Sequence, residues 1–95
     1  LKKDAQWRLA PAYDLCFSYD PANHWVSQQS LSVNGKRTNI TGEDMMKIAR
    51  DNNIKKGGKI IEHINLVVKS WNVYADRAEV RRDLRDRIQQ HLNVL

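Results

Sequence analysis

The segment KIIEHINLVVKSW, residues 59–71, has the clearest periodic pattern in this chain. Its apolar residues recur at the spacing of one face of an α-helix, and Glu62, Asn65 and Lys69 fall on the other side. The segment therefore predicts an amphipathic helix whose apolar stripe packs against neighbouring helices. The stripe consists of Ile60, Ile61, Ile64, Val67, Val68 and Trp71.

A shorter helix is predicted before this one. Thr41 followed three residues later by Asp44 is typical of a capping box, so the helix is expected to start at Gly42 and to end near residue 51 or 52. Asn53 tolerates the left-handed conformation that closes a helix in a Schellman motif. Between the two helices, the pair Gly57-Gly58 predicts a turn.

A third helix is predicted in the last part of the chain. Asp76 and Glu79 are expected to cap its start. Its apolar stripe is narrow, which favours packing at the edge of the helical group. The residues of this stripe recur every fourth position: Val80, Leu84, Ile88 and Leu92.

The first 40 residues are expected to hold the small β portion of the fold. Residues 6–9 predict a strand in which Trp7 and Leu9 point to the same side and pack. Residues 16–29 lack a sustained period and predict a loop. Asn34-Gly35 favours a hairpin, because a type I′ turn requires positive φ at both central residues. The sequence thus predicts one domain over residues 1–95, mainly α, with a strand, a loop and a hairpin in 1–40 and three packed helices in 41–95.

Composition narrows the class of protein. A chain of 95 residues with a net charge of +5 and one cysteine is a small domain without an internal disulfide. Its apolar runs are too short to cross a bilayer, and no signal peptide is recognisable, so a cytoplasmic protein is expected. Direct nucleic-acid binding is disfavoured, because the C-terminal arginines alternate with acidic residues and predict a salt-bridged helix face. The arginines are Arg77, Arg81, Arg82, Arg85 and Arg87, and the acidic residues are Asp76, Glu79, Asp83 and Asp86.

The segment WRLAPAYDL, residues 7–15, is the candidate site. Pro11 fixes its own φ and favours extended backbone at Ala10, so Asp14 is expected on a loop just after a strand. A carboxylate fixed in this way suggests a cation site. The alternative is an Asx turn, in which the carboxylate accepts nearby backbone N–H groups and needs no metal.

Together with LCFSY at residues 15–19 and SVNGK at residues 32–36, this segment resembles the C-terminal part of the HipA-like toxin kinases of bacterial toxin–antitoxin systems. The resemblance extends over about residues 7–71. It implies part of a kinase-like C-terminal lobe, in which Asp14 holds Mg²⁺ against the phosphates of ATP. It also implies a parent Ser/Thr protein kinase that is neutralised by a DNA-binding antitoxin.

Other parts of a kinase are missing ahead of Asp14. Kinases use a phosphate-covering loop, a lysine for the phosphates, and a catalytic-loop Asp and Asn. We therefore expect a C-terminal fragment or a truncated relative that is inactive alone and needs the remainder of the kinase domain as a partner. The alternative is a non-catalytic interaction module that docks an antitoxin or a kinase-lobe partner.

The remaining reactive residue types carry weaker signals. His24, His63 and His91 lack the spacing of a zinc site. Cys16 lies between Leu15 and Phe17 and is expected to be a buried, inert thiol.

Overall fold

The structure, a computed structural model, describes residues 2–3 and 6–95. This part of the chain is mainly helical, as the sequence predicts, and has four helices rather than three. In chain order the elements are β1 (Lys2–Lys3), β2 (Gln6–Trp7), α1 (Gly42–Asp51), α2 (Gly57–Lys69), α3 (Trp71–Arg77) and α4 (Arg82–His91).

The β portion is smaller than predicted. β2 pairs with β1 in antiparallel register, with Trp7 opposite Lys2, so the strand has a partner close in sequence. It ends at Trp7 instead of continuing to Leu9. Trp7 is 80% exposed and Leu9 98% exposed, so the prediction that they pack is wrong. A ladder of two residues per strand offers no sheet face against which a core can form.

The hairpin turn is confirmed at Asn34-Gly35. The φ angles of these residues are 51° and 77°, as a type I′ turn requires. Val33 and Lys36 form an isolated bridge, in which the N–H of each donates to the carbonyl oxygen of the other at 2.7 and 3.0 Å. Residues 16–29 contain neither helix nor strand, only irregular backbone with turns and bends from residue 21 onward, as the predicted loop requires.

Both ends of α1 are confirmed. The Thr41 side chain accepts from the Asp44 N–H, and the Asp44 side chain accepts from the Thr41 N–H, which completes the capping box. Asn53 has φ 55°. The N–H of Ile54 donates to the carbonyl oxygen of Ala49 at 2.8 Å, which is the long hydrogen bond of a Schellman motif.

Gly57 and Gly58 are the first residues of α2, so the turn predicted there is wrong. The connection to α1 is instead made by residues 52–56. Gly57 is buried, and a Cβ atom at this position would lie 2.5 Å from the Cβ of Ala49. Glycine is required here because α2 crosses α1 at close range.

The predicted helix over residues 59–71 is interrupted at Ser70. The Ser70 hydroxyl donates to the carbonyl oxygen of Leu66 at 2.9 Å. Such a side-chain hydrogen bond competes with the backbone ladder and bends helices. Trp71 therefore begins α3 instead of completing α2.

The cap predicted for the last helix is also wrong. Asp76 lies within α3, and Glu79, at φ 58°, lies in the turn that follows. The N–H of Val80 donates to the carbonyl oxygen of Ala75 at 2.9 Å, so α3 ends in a second Schellman motif. α4 begins at Arg82 without a side-chain cap.

The helices pack in pairs around a small core. α1 packs on α2 and α3 packs on α4, where the Trp71 Nε1–H donates to the carbonyl oxygen of Arg85 at 3.0 Å. The buried apolar residues in the described chain are Ala49, Ala75 and Ile88. The predicted α2 stripe is only partly covered, since Ile60 and Ile64 are 52% and 57% exposed. Each helix of the described chain is too short or too polar to cross a bilayer.

Candidate functional site

Asp14 lies on a segment without regular secondary structure and has a φ of 54°. Its side chain is exposed, and in the described part of the chain its carboxylate accepts no hydrogen bond. Asp20 behaves differently, because its Oδ1 accepts from the N–H of Ala22 at 3.0 Å. The local Asx arrangement proposed as the alternative for Asp14 is thus found at Asp20.

The residues beside Asp14 leave it open to solvent. Tyr13 and Leu15 are each 84% exposed. Among residues 6–95, no group of three or more His, Cys, Asp or Glu side chains is arranged to hold a metal ion. Asp14 therefore offers a single free carboxylate, which suits one ligand position of a hard cation that takes its other ligands from elsewhere.

The residues just after Asp14 contact α4. The rings of Tyr19 and His91 lie 5.3 Å apart between centroids, and the rings of Phe17 and Tyr19 lie 6.5 Å apart. Phe17 and Tyr19 also line a small hollow together with Leu84 and Ile88 of α4. The aromatic residues at positions 17 and 19 thus limit where the Asp14 loop can lie.

A larger open hollow of about 880 Å³ lies beyond this contact. It is lined by residues 17–19 and 25–31 of the long loop, by residues 37–40, and by residues 90–93 at the end of α4. The Arg37 Nε–H donates to the carbonyl oxygen of Gln29 across it at 2.6 Å. Asp14 does not line this hollow.

Asp44 accepts more hydrogen bonds than any other side chain of the described chain. The sequence predicted only a helix-capping role for it. It is 5% exposed. Its Oδ1 accepts from the Asn34 amide at 2.8 Å, and its Oδ2 accepts from Lys36 Nζ at 2.9 Å and from the Thr41 N–H at 2.8 Å. These contacts tie the hairpin to the first turn of α1. The two motifs were recognisable separately, but nothing in their spacing showed that they meet.

The donors around Asp44 stabilise its charged form. They lower the pKa of Asp44 well below its usual range, chiefly through the backbone N–H of Thr41 and then through the side chains of Asn34 and Lys36. Because both carboxylate oxygens are already engaged, Asp44 is a structural anchor rather than a free ligand.

The other candidate residues lie apart. Cys16 is exposed, so the prediction of a buried thiol is wrong, because nothing in the described chain covers residues 7–16. His24 lies against Trp25, which is exposed, with the two tilted rings 4.4 Å apart between centroids. His91 contacts Tyr19, and His63 lies exposed on α2. The histidines do not come together.

The salt-bridged face predicted for the C-terminal arginines is present around Arg85. Its guanidinium pairs with Asp76 at 2.8 Å and with Asp86 at 2.9 Å. These carboxylates raise the pKa of Arg85, first through the hydrogen bond that Arg85 donates to Asp76 and then through the one that it donates to Asp86. Arg81 pairs with Asp83 at 3.2 Å.

No family model, curated protein or solved structure matches this chain. What the candidate site can do follows from its residues. It combines an exposed, unengaged carboxylate at Asp14 with a loop that Phe17 and Tyr19 hold against α4.

Proposed function

We propose that this chain is the C-terminal segment of a HipA-like Ser/Thr protein kinase toxin, to which Asp14 supplies a metal-binding carboxylate. The observation that carries the proposal is the free carboxylate of Asp14, which lies inside the segment that resembles the metal-binding motif of that family. An aspartate needed only for its loop would be expected to cap the loop, as Asp20 does.

In this proposal the chain provides one part of a composite site. Mg²⁺ bound there neutralises charge on the phosphate oxygens of ATP during phosphoryl transfer. Such an ion usually takes one or two carboxylates, with phosphates and water as its other ligands. Asp14 is one carboxylate ligand of such an ion. The residues that bind the nucleotide, and any further metal ligand from the protein, must therefore come from the remainder of the kinase domain. The chain alone is expected to be inactive.

Exposed apolar residues near the site support the proposal that another part of the protein packs there. A run of large apolar side chains before the hairpin is open to solvent, although such side chains are usually buried when a partner surface is available. In the full-length protein, the remainder of the kinase domain would cover these side chains. A DNA-binding antitoxin in the cytoplasm would be a second partner. The residues are Trp7, Leu9, Tyr13, Leu15, Trp25 and Leu31.

The test compares Asp14→Asn with Asp20→Asn in the full-length parent. We expect Asp14→Asn to reduce phosphoryl transfer from labelled ATP by about 100-fold or more, because the metal loses a charged ligand. The melting temperature should stay nearly unchanged, since the exposed Asp14 side chain accepts no hydrogen bond from the residues that the structure describes.

The matched control is Asp20→Asn. It changes the same charge six positions later, where the carboxylate accepts from the N–H of Ala22. This variant should retain activity. Full activity in Asp14→Asn would remove the assignment, and equal loss in both variants would point to loop structure rather than metal binding.

A non-catalytic docking module is the second candidate. It is favoured by the same exposed apolar residues, which form a surface whether or not Asp14 binds metal. Under this candidate, Leu9→Asp weakens association with the separately produced remainder of the parent, while Asp14→Asn changes neither association nor activity. Calorimetry on the mixed chains distinguishes the two candidates.

A further inference from the structure

One face of α4 contacts the loop that carries the candidate site. Leu84, Ile88 and His91 occupy positions i, i+4 and i+7 of this helix, so they share one side of it and are called the α4 face below. The loop residues Phe17 and Tyr19 line a small hollow against this face. The rings of Tyr19 and His91 lie 5.3 Å apart between centroids, and Ile88 is buried.

α4 is itself attached to two other helices. The Trp71 Nε1–H donates to the carbonyl oxygen of Arg85 at 3.0 Å, which joins α4 to α3. Beyond the last turn of α4, the N–H of Leu95 donates to Asn65 Oδ1 of α2 at 2.8 Å, and Asn65 Nδ2 donates to the carbonyl oxygen of Leu95. An asparagine amide carries both an acceptor and donors, so it can bind both backbone groups of one residue. The α4 face is therefore a fixed surface for the loop.

The contact with the α4 face limits the reach of Asp14. Phe17 follows Asp14 by three residues, so their Cα atoms lie at most about 11 Å apart. Further along the described chain, the next backbone hydrogen bond to a distant segment joins the N–H of Gln29 to the carbonyl oxygen of Arg37. Release of Phe17 and Tyr19 would thus lengthen the tether of Asp14 on this side from three residues toward fifteen.

We propose that the α4 face positions Asp14 for its metal, with Tyr19 and His91 as positioning residues. This inference rests on the proposed function and adds how the metal affinity of the same site is controlled. The effective concentration of a tethered group falls roughly as the −3/2 power of tether length, so a tether about five times longer lowers it about tenfold. When the binding-competent arrangement is populated for a smaller fraction of the time, the apparent affinity for the ligand falls by that fraction. Metal affinity should therefore depend on Tyr19 and His91, although neither touches the ion.

The contact between the loop and α4 is made by ring surfaces. In the described chain neither the Tyr19 hydroxyl nor the His91 imidazole takes part in a hydrogen bond. Tyr19→Phe and His91→Phe keep a ring at each position and should behave like the native chain, whereas Tyr19→Ala and His91→Ala remove the ring contact. Alanine favours helix, so His91→Ala should not shorten α4.

Cys16 supplies the first test, because it is the only cysteine of the chain and is exposed. A nitroxide attached to Cys16, two residues after Asp14, reports how freely the loop moves in the 95-residue chain. We expect His91→Ala and Tyr19→Ala each to enlarge the mobile fraction of the electron paramagnetic resonance spectrum at least about twofold, which is the lower end of what one aromatic contact contributes. The two phenylalanine variants should give the native spectrum.

His63→Ala is the matched control for the label experiment. It makes the same substitution at an exposed position of α2, where the histidine makes no ring contact within the described chain. Circular dichroism measures the helix content of each variant. Tyr19 lies outside the helices, so Tyr19→Ala tests the contact without altering α4. Native mobility of the label in Tyr19→Ala would overturn the proposal.

The second test measures the Mg²⁺ dependence of phosphoryl transfer in the full-length parent. In His91→Ala the Mg²⁺ concentration for half-maximal activity should rise about three- to tenfold, because the Asp14 carboxylate is in place for less of the time. The rate at saturating Mg²⁺ should stay within about twofold of native, because bound metal selects the competent loop position. His91→Phe should restore the native Mg²⁺ dependence. A lower saturating rate with unchanged Mg²⁺ dependence would assign His91 a merely structural role and overturn the proposal.

Comparison with Asp14→Asn separates this inference from the proposed function. Unchanged Mg²⁺ dependence in His91→Ala, with Asp14→Asn inactive, would overturn the positioning role and leave the proposed function in place. Full activity in Asp14→Asn would overturn the proposed function, and with it the metal step proposed here.

Discussion

At the residue scale, two aspartates show opposite environments. Asp44 is buried and receives hydrogen bonds from Asn34, Lys36 and Thr41, whereas Asp14 is exposed and receives none within the described chain. The carboxylate with the perturbed pKa is therefore the structural one. Structural networks also shift pKa values, so a shift alone does not identify a functional site.

The Asp44 network should make stability depend on pH. The donors hold the pKa of Asp44 below its ordinary value in the folded chain, while an unfolded aspartate titrates near ~3.9. The stabilisation is therefore complete above about pH 4 and is lost as the pH falls toward the folded value. We expect the melting temperature of Asp44→Asn to be well below that of the native chain at neutral pH and to converge with it in acid.

The control for this prediction is Asp51→Asn. Asp51 lies on the same helix and forms an exposed pair with Lys47 at 2.5 Å. Exposed pairs contribute little, so this variant should follow the native pH profile. Native and Asp44→Asn melting curves that stay parallel from neutral pH to acid would contradict the role given to the network.

At the element scale, the ends of α1 and α3 show which helix boundaries the local sequence specifies and which it does not. α1 and α3 both end in a Schellman motif with a left-handed residue, Asn53 in the first and Glu79 in the second. Asparagine favours that conformation and marked the first end in the sequence. Glutamate has no such preference, so the second end was missed and α3 was not predicted as a helix of its own.

The crossing of α1 and α2 gives a prediction with a matched control. Gly57→Ala should destabilise the chain by about 1–3 kcal/mol, because the new Cβ would overlap the Cβ of Ala49, 2.5 Å away. Gly58→Ala should be neutral or stabilise by up to about 1 kcal/mol, because its nearest neighbour is Met46 Sδ at 3.9 Å and alanine favours helix. Urea unfolding measures both changes.

A compensating change tests the same contact. Ala49→Gly should recover much of the stability lost in Gly57→Ala, because it removes the atom with which the new methyl group overlaps. Equal stabilisation by Gly57→Ala and Gly58→Ala would show that the two helices do not approach closely.

At the scale of the whole molecule, the chain keeps much of its surface in contact with solvent. Its accessible area is 8522 Å², whereas a compact monomer of this mass has about 5,700 Å². Its radius of gyration is 15.9 Å, against about 12 Å for a compact domain of 95 residues. The excess area agrees with the open apolar residues before the hairpin and with the exposed side chains of Ile60, Ile64 and Val67 on α2.

The large exposed surface of the folded chain should lower the m-value of urea unfolding. The unfolded chain has about 16,000 Å² of accessible area, so less surface is newly exposed on unfolding than for a compact domain of the same length. Because the urea m-value scales with that area, we expect it to be about a quarter lower. Leu9→Ser should leave stability nearly unchanged, since Leu9 is already exposed. A full-sized m-value would mean that the chain is more compact than described.

Much of the local structure was predictable from the sequence. The start of α1 at Gly42, the turn at Asn34-Gly35, the stop at Asn53 and the helical character of α2 all depend on interactions within a few residues, which residue order specifies. The metal-binding role proposed for Asp14 comes from a resemblance in the sequence, and the structure adds that its carboxylate accepts no hydrogen bond from the described residues.

Long-range contacts decided the rest. The joining of the hairpin to α1 through Asp44 and the close approach of Gly57 to Ala49 bring together residues from different elements. Periodicity identified the apolar face of α2, but only the position of α1 decided which part of that face is covered. The physical reason is that hydrogen bonding along the backbone is set by neighbours in sequence, whereas burial depends on which surfaces meet in space.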